Sequence, residues 1–305
     1  MADWDDVCVL IPTLDEAETI GDVIDGFRAQ GFENVLIVDG NSTDGTREIA
    51  AERGARVIVQ STTGKGQAVR EALDRIESPY VLMVDGDGTY RPEDASAMLE
   101  PLVSGEYEHV IGNRFADMAT GAMSRVNHAG NRLINWAFGL IHGPQFRDIL
   151  SGYRAFTRES IERMTLDATG FGIETEMAVE CAKHDVPTAV VPIRYEPRPD
   201  GSETNLRPMR DGSLIIVTLY QLARTNNPLF YFGSVGLSTM MIGAFIAAYV
   251  GFSWFVRGVS HEVFALVAGV AILLGFQIVM FGLLSDLIVT LHREQMRRID
   301  EERER

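Results

Sequence analysis

Two carboxylates separated by one glycine, Asp85-Gly86-Asp87, follow directly on the apolar run Tyr80 to Val84. Glycine lets the backbone turn sharply there. Carboxylate oxygens gathered in this way suit Mg²⁺ or Mn²⁺, which bind a few carboxylates together with the phosphates of a substrate. A solvated turn in an acidic protein is the plain alternative, and placement at the end of an apolar run favours the metal. Asp39-Gly40-Asn41-Ser42-Thr43-Asp44-Gly45-Thr46 follows a second such run and leads into a helical pattern. Its short polar side chains either cap that helix or meet a ribose and base. Pro12-Thr13-Leu14-Asp15-Glu16 has the same placement and the same two readings. Lys65, in Gly64-Lys65-Gly66, is one of only two lysines among 27 Lys and Arg residues. It either serves a phosphate or base or belongs to a loop.

The elements that must position these groups are legible as an alternation over the first 110 residues or so. Val7 to Ile11, Val35 to Val38, Val57 to Val59 and Tyr80 to Val84 read as strands. Between them Ile20, Val23, Ile24 and Phe27 take the spacing of one helix face, and helical patterns run over about 44–53 and 65–77. Short apolar strands alternating with helices imply a parallel sheet covered on both faces. Ligands of such sheets collect at the carboxyl ends of the strands. Thr13, Asp15, Glu16, Asp39, Asp85 and Asp87 all fall there.

A net charge of −16 argues against nucleic acid as a partner, because a polyphosphate needs cations for neutralisation. The acid-rich, lysine-poor balance fits a protein bathed in concentrated salt, and an archaeal halophile is the expected source. Cys8 and Cys181 stand far apart in apolar contexts and read as buried free thiols. Asp3, Trp4, Asp5 and Asp6 open the chain without the basic and apolar regions of a secretory leader.

No charged residue occurs from Leu229 to Val256 or from Val263 to Ser285. Each run exceeds the roughly 20 residues that cross a bilayer core. The connection Arg257 to Glu262 is too short for a domain, so a membrane hairpin with both flanks on one side is expected. Arg293, Arg297, Arg298, Arg303 and Arg305 in the tail, against one arginine in the connection, put the tail and the first domain on the cytoplasmic side. Leu214 to Leu222 reads either as an interfacial helix or as an ordinary domain helix. Leu133 to Ile141 carries a matching ambiguity, with Trp136 and Phe138 touching lipid or filling a core. The expected organisation is a nucleotide-sugar domain over 1–210, a linker or interfacial helix over 211–227, two spans at about 229–256 and 263–291, and a charged tail over 293–305.

Taken in order and spacing, I-P-T-L-D-E-A-E-T-I, V-D-G-N-S-T-D-G-T, G-K-G, V-D-G-D-G-T, I-G-N-R-F and D-I-L-S-G-Y-R-A-F resemble the family 2 inverting glycosyltransferases of GT-A fold over about residues 6–225. Within them the chain is most similar to the dolichyl-phosphate mannose and glucose synthase branch, and there to archaeal enzymes that load the first hexose onto dolichyl phosphate for protein N-glycosylation. The resemblance implies an α/β, Rossmann-like nucleotide-sugar domain ahead of the hairpin. It implies that Pro12, Asp15, Glu16, Asp39 and Lys65 serve the nucleotide and that Asp85 and Asp87 hold Mg²⁺ or Mn²⁺. Thr89 stands where relatives often carry a further metal-binding Gln.

By the same resemblance Arg114 and Arg125 orient an acceptor phosphate, and Asp148, Ser151 and Arg154 lie near the sugar. Glu174 or Glu176 occupies the acidic segment that supplies a base in relatives acting on hydroxyls. The segment Arg198 to Arg210 resembles an acceptor-side loop whose usual Ser-Lys is absent, which passes its phosphate-gripping role to Arg198, Arg207 or Arg210. A lipid phosphate is already anionic near neutral pH and needs no strong base. The implied reaction is therefore one inverting displacement that moves a hexose from UDP-glucose, or second GDP-mannose, to dolichyl phosphate. The rivals are transfer to a lipid or glycan hydroxyl, and an inactive scaffold that binds nucleotide sugars.

Overall fold

A computed structural model describes residues 4–143, 146–167, 172–199 and 228–303. The chain divides into two compact units, Met1–Ile216 and Val217–Arg305.

In the first unit β1 (Val7–Thr13), β2 (Val35–Asp39), β3 (Arg56–Val59) and β4 (Tyr80–Met83) are all parallel. The helices between them are α1 (Ile20–Ala29), α2 (Thr46–Glu52) and α3 (Lys65–Leu73). This is the alternation expected from the sequence. Side chains along β1 alternate faces as a strand requires: Val7, Val9 and Ile11 join the apolar cluster under α1 and α4 (Ala95–Val103), whereas Cys8 and Leu10 join the one under α3 and α7 (Ile173–Lys183). Both cysteines are buried and free, as expected.

Beyond β4 the sheet becomes mixed. Its order is β3-β2-β1-β4-β6-β5-β7. Strand β6 (Arg154–Thr157) runs antiparallel to both β4 and β5 (His109–Met118), and β7 (Thr188–Tyr195) pairs parallel with β5. Two further helices, α5 (Arg125–His142) and α6 (Arg158–Glu162), complete the described part of this unit. Inserting β6 beside β4 brings the segment 148–153 next to the end of β4, where the paired aspartates lie.

The second unit is a hairpin of α8 (Pro228–Arg257) and α9 (Glu262–Arg303). Pro228–Arg257 and Glu262–Leu291 are long and apolar enough to cross a membrane, with mean hydropathies of 1.8 and 2.5. The helices pack antiparallel and very closely. A Cβ on Gly236 would stand 2.6 Å from the Gly275 carbonyl oxygen, and one on Gly243 would stand 2.9 Å from that of Ala268. Small residues are what allow membrane helices to approach in this way. Segment 214–222, most of the 198–210 loop with Arg207 and Arg210, and the side chains of the tail arginines lie outside the described residues.

Candidate active site

The loops after β1 and β2 are bonded to each other before any ligand is considered. Register places Thr13 beside Asp39, and the Gly40 N–H donates to the Thr13 carbonyl at 2.8 Å. The Ser42 hydroxyl accepts from Asp15 N–H at 3.0 Å, Thr46 Oγ1 from Glu16 N–H at 2.9 Å, and Asp44 Oδ2 from Ala17 N–H at 2.9 Å. In return the Asp15 carboxylate accepts from the Thr43 N–H at 2.8 Å. Asp15 holds a left-handed backbone with φ of 54°, a conformation that Asp tolerates better than most residues. The Asp15 carboxylate thus has a partner within the protein, and its first task is to clasp the loops.

Asp39 differs. It is wholly buried, its Oδ2 accepts from the Ser42 N–H at 3.0 Å, and Arg47 stands 3.7 Å away. Its Oδ1 has no partner among the described residues. Pro12 lies one register position back, opposite Val38. Thr13 Oγ1 and Gln60 Oε1 are likewise buried and unpartnered, and the Gln60 N–H donates to the Asp39 carbonyl at 3.0 Å. Gln60 carried no motif in the sequence, and only its position after a strand could have flagged it.

Asp85 and Asp87 sit on opposite arms of a charge network. Lys65, at the first turn of α3, reaches Asp85 Oδ1 and Glu174 Oε1 together in two close ion pairs. Burial alone would depress the Lys65 ammonium, but the carboxylates of Asp85 and Glu174 more than offset this and raise its pKa. Thr89 donates to Asp87 Oδ1 from its hydroxyl at 2.6 Å and from its N–H at 3.1 Å. Arg198 meets Asp87 Oδ2 at 2.8 Å and lies 4.0 Å from Glu16. Burial, then the neighbouring Asp85 charge, pushes the Asp87 carboxyl up. Burial, then Asp87, pushes Glu16 up to about 7.

Burial and neighbouring negative charge raise both Glu16 and Asp87, and a divalent cation beside them relieves such a penalty. Among the described residues no group of three or more His, Cys, Asp and Glu side chains is placed to hold a metal ion by itself. An open site fits Mg²⁺ or Mn²⁺ on a nucleotide sugar, because diphosphate oxygens and water complete the shell. Thr89 orients Asp87 through its two hydrogen bonds.

The segment before β6 packs onto this pair. A Cβ on Gly152 would clash with the Asp85 carboxylate, so any side chain there forces that carboxylate to shift. Tyr90, also unflagged by the sequence, accepts the Gly152 N–H at 3.0 Å.

Several residues expected near the sugar or acceptor have interior partners. Arg154 is fully buried and donates to the carbonyls of Ser151 at 3.1 Å and Ile149 at 2.7 Å. It holds the segment from beneath. Ser151 is also buried, its Oγ accepting from the Tyr153 N–H at 3.4 Å. Arg114 donates to Asp148 from Nε at 2.8 Å and from Nη2 at 2.7 Å, to Asn131 at 3.1 Å, and lies over the Tyr195 ring. Glu174 faces Lys65 and so joins the network, whereas the Glu176 carboxylate accepts from the Asp167 N–H at 3.0 Å. Arg198 joins the network through Asp87 and Glu16. Arg125 stands exposed at the first turn of α5, whose N-cap Ser124 accepts from Asn127 N–H.

Comparison with known proteins agrees with this geometry. The model of the family described as glycosyl transferase family 2 matches residues 8–164. A glycosyltransferase of Haloferax volcanii, AglJ, is 64% identical over 298 residues, covering 97% of this chain and 98% of its own. A dolichyl-phosphate hexose transferase of the same organism is 34% identical over 214 residues, 70% of this chain and 91% of its own. Among solved structures, glucosyl-3-phosphoglycerate synthase from Mycobacterium tuberculosis with Mn²⁺ and UDP-glucose shares the fold, with a TM-score of 0.57 and 23% identity over 72% of this chain and 78% of its own. The sheet is therefore of the GT-A kind, and the chain is a glycosyltransferase that belongs to glycosyl transferase family 2.

Proposed function

We propose that the protein transfers a hexose from a nucleoside diphosphate sugar to dolichyl phosphate at the cytoplasmic face of a membrane, with inversion, as the opening step of lipid-linked glycan assembly. The observation that carries this is the convergence of Asp85, Asp87, Glu16, Lys65 and Arg198 at the carboxyl ends of parallel strands that also present Asp39. A bound Mg²⁺ or Mn²⁺ on Asp85 and Asp87 would neutralise the departing nucleoside diphosphate.

Each remaining role belongs to the chain itself. Asp39 Oδ1 accepts one N–H from the base. A single free oxygen matches uracil, whose paired edge offers one donor, better than guanine, which offers two. That favours a uridine diphosphate sugar, and family resemblance makes UDP-glucose the first choice of donor and GDP-mannose the second. Lys65 supplies fixed positive charge beside the diphosphate. Arg125, with Arg207 and Arg210, orients the acceptor phosphate for attack opposite the leaving group, while Arg114 acts through Asp148 by fixing the segment under Asp85. Glu174, tied to Lys65, is engaged elsewhere than a base would be, which supports an acceptor that is already anionic.

The tail arginines and the relative named for dolichyl phosphate support the membrane and lipid parts of the reading. The test is to incubate the purified protein with dolichyl phosphate and a panel of labelled nucleotide sugars and to weigh the lipid product. Label in a hexosyl-phosphoryl lipid supports the reading. Label confined to water-soluble products excludes it.

A further inference from the structure

Thr19 occupies the N-cap of α1. A threonine there ordinarily turns its hydroxyl oxygen back to accept an N–H from the first turn of its own helix. Thr19 makes no such bond. Its Oγ1 instead donates to the Gly86 carbonyl at 2.6 Å, a buried contact across 67 positions of chain. The residue is itself buried. A helix that forgoes an available cap breaks a local rule, and such departures are expected where function takes the side chain elsewhere.

Gly86 stands between the paired aspartates, so the bond falls on the turn that aims both carboxylates. A Cβ on Gly88 would stand 3.6 Å from Thr19 Cγ2, which places the threonine methyl beside the glycine that follows Asp87. On its other side the Thr19 hydroxyl lies 3.3 Å from the Glu16 carbonyl and 3.4 Å from Glu16 Oε2. A hydroxyl has a single proton, and the shortest and most buried of these contacts, that to Gly86, takes it. The Glu16 carbonyl is satisfied without it, by the N–H groups of Thr19 at 3.1 Å and Ile20 at 2.9 Å. Lys65, Thr89 and Arg198 hold the two aspartates by their carboxylate oxygens. Thr19 acts on the backbone that carries them.

We infer that Thr19 is a positioning residue for the divalent cation: by pinning the Gly86 carbonyl it fixes the direction of the Asp85 and Asp87 carboxylates before metal and diphosphate arrive. The inference rests on the reading that these aspartates hold the metal. Supporting contacts behind metal-binding carboxylates govern affinity although they never reach the ion. Asp39 is held by Ser42 and Arg47 instead, so the nucleoside pocket should survive the loss of the Thr19 hydroxyl.

The test reads metal binding and does not require turnover. Thr19→Val keeps the shape, removes the hydroxyl and costs α1 no cap, whereas Thr19→Ser keeps the hydroxyl and removes the methyl. Mn²⁺ is titrated into the full chain in detergent with saturating UDP. The unbound ion is read by its paramagnetic resonance signal against a UDP blank, and UDP affinity is measured separately without metal. Thr19→Val is expected to weaken Mn²⁺ binding about tenfold or more, with Thr19→Ser within about threefold of the native chain and metal-free UDP affinity within about twofold in both. Should Thr19→Val fold poorly, Thr19→Ser and Thr19→Ala, which differ only in the hydroxyl, report the same contrast. Native-like Mn²⁺ affinity without the hydroxyl overturns the inference. So does a matching fall in metal-free UDP affinity, which general damage would produce, or a Thr19→Ser variant as weak as Thr19→Val. A native chain that binds no Mn²⁺ refutes the metal reading itself and this inference with it. Native Mn²⁺ binding without lipid transfer would refute the proposed reaction and leave the role of Thr19 standing.

Discussion

Asp148 meets Arg114 on two edges, Oδ2 to Nε at 2.8 Å and Oδ1 to Nη2 at 2.7 Å, and the same Oδ2 accepts the Arg114 N–H at 3.0 Å. Both residues are buried, so removing one leaves the other as an uncompensated interior charge. Asp148→Ala is expected to destabilise the catalytic unit by about 3–5 kcal/mol, the usual cost of breaking a buried pair. Arg114→Lys should recover little, because an ammonium cannot present two parallel donors. Denaturant titration of both variants checks this, and near-native stability of Asp148→Ala would contradict the bracing role.

Gly152 leaves room for Asp85. Gly152→Ala puts a methyl group against that carboxylate, and overpacking of this kind costs about 1–3 kcal/mol. The expected outcome is a folded protein with a loss of turnover well beyond its loss of stability, read by comparing kcat with the melting temperature. Unchanged kcat would mean that the Asp85 position is not critical.

The two thiols carry a pH prediction. Burial pushes Cys8 and Cys181 up to about 11 from 9.0. A folded-state pKa raised above the unfolded value stabilises the fold fully below about 9, and that contribution is lost as pH rises through about 11. At pH 8 neither thiol should react with iodoacetamide until the protein unfolds, and mass spectrometry of alkylated protein across a denaturant series reads this directly. Rapid labelling of the native protein would contradict it.

How much of this was legible in the sequence depends on how far apart the interacting residues lie. Strands β1 to β4 announced themselves because each is a short local run of apolar residues, and the polar residues ending them marked the site. The direction of β6 did not, since Arg154-Ala155-Phe156-Thr157 is four residues long and nothing in it specifies antiparallel pairing with β4. Polar residues in strand-end loops signalled a site but not their partners. The Asp15 carboxylate serves Thr43, 28 positions on, and Arg114 serves Asp148, 34 positions on. The resemblance puts Arg154 near the sugar, and only the fold reveals the carbonyls of Ser151 and Ile149 that satisfy it. Trp136 and Phe138 are nearly adjacent in sequence, and only the helix decides that one faces out and the other in.

The paired aspartates carry the account, and Asp87→Ala tests them most directly. With UDP-glucose, dolichyl phosphate and excess Mg²⁺, the variant should melt near the native temperature and form lipid-linked hexose at least about 100-fold more slowly, a loss typical when electrostatic stabilisation of a leaving group is removed. A variant that keeps a near-native rate under these conditions would contradict the account.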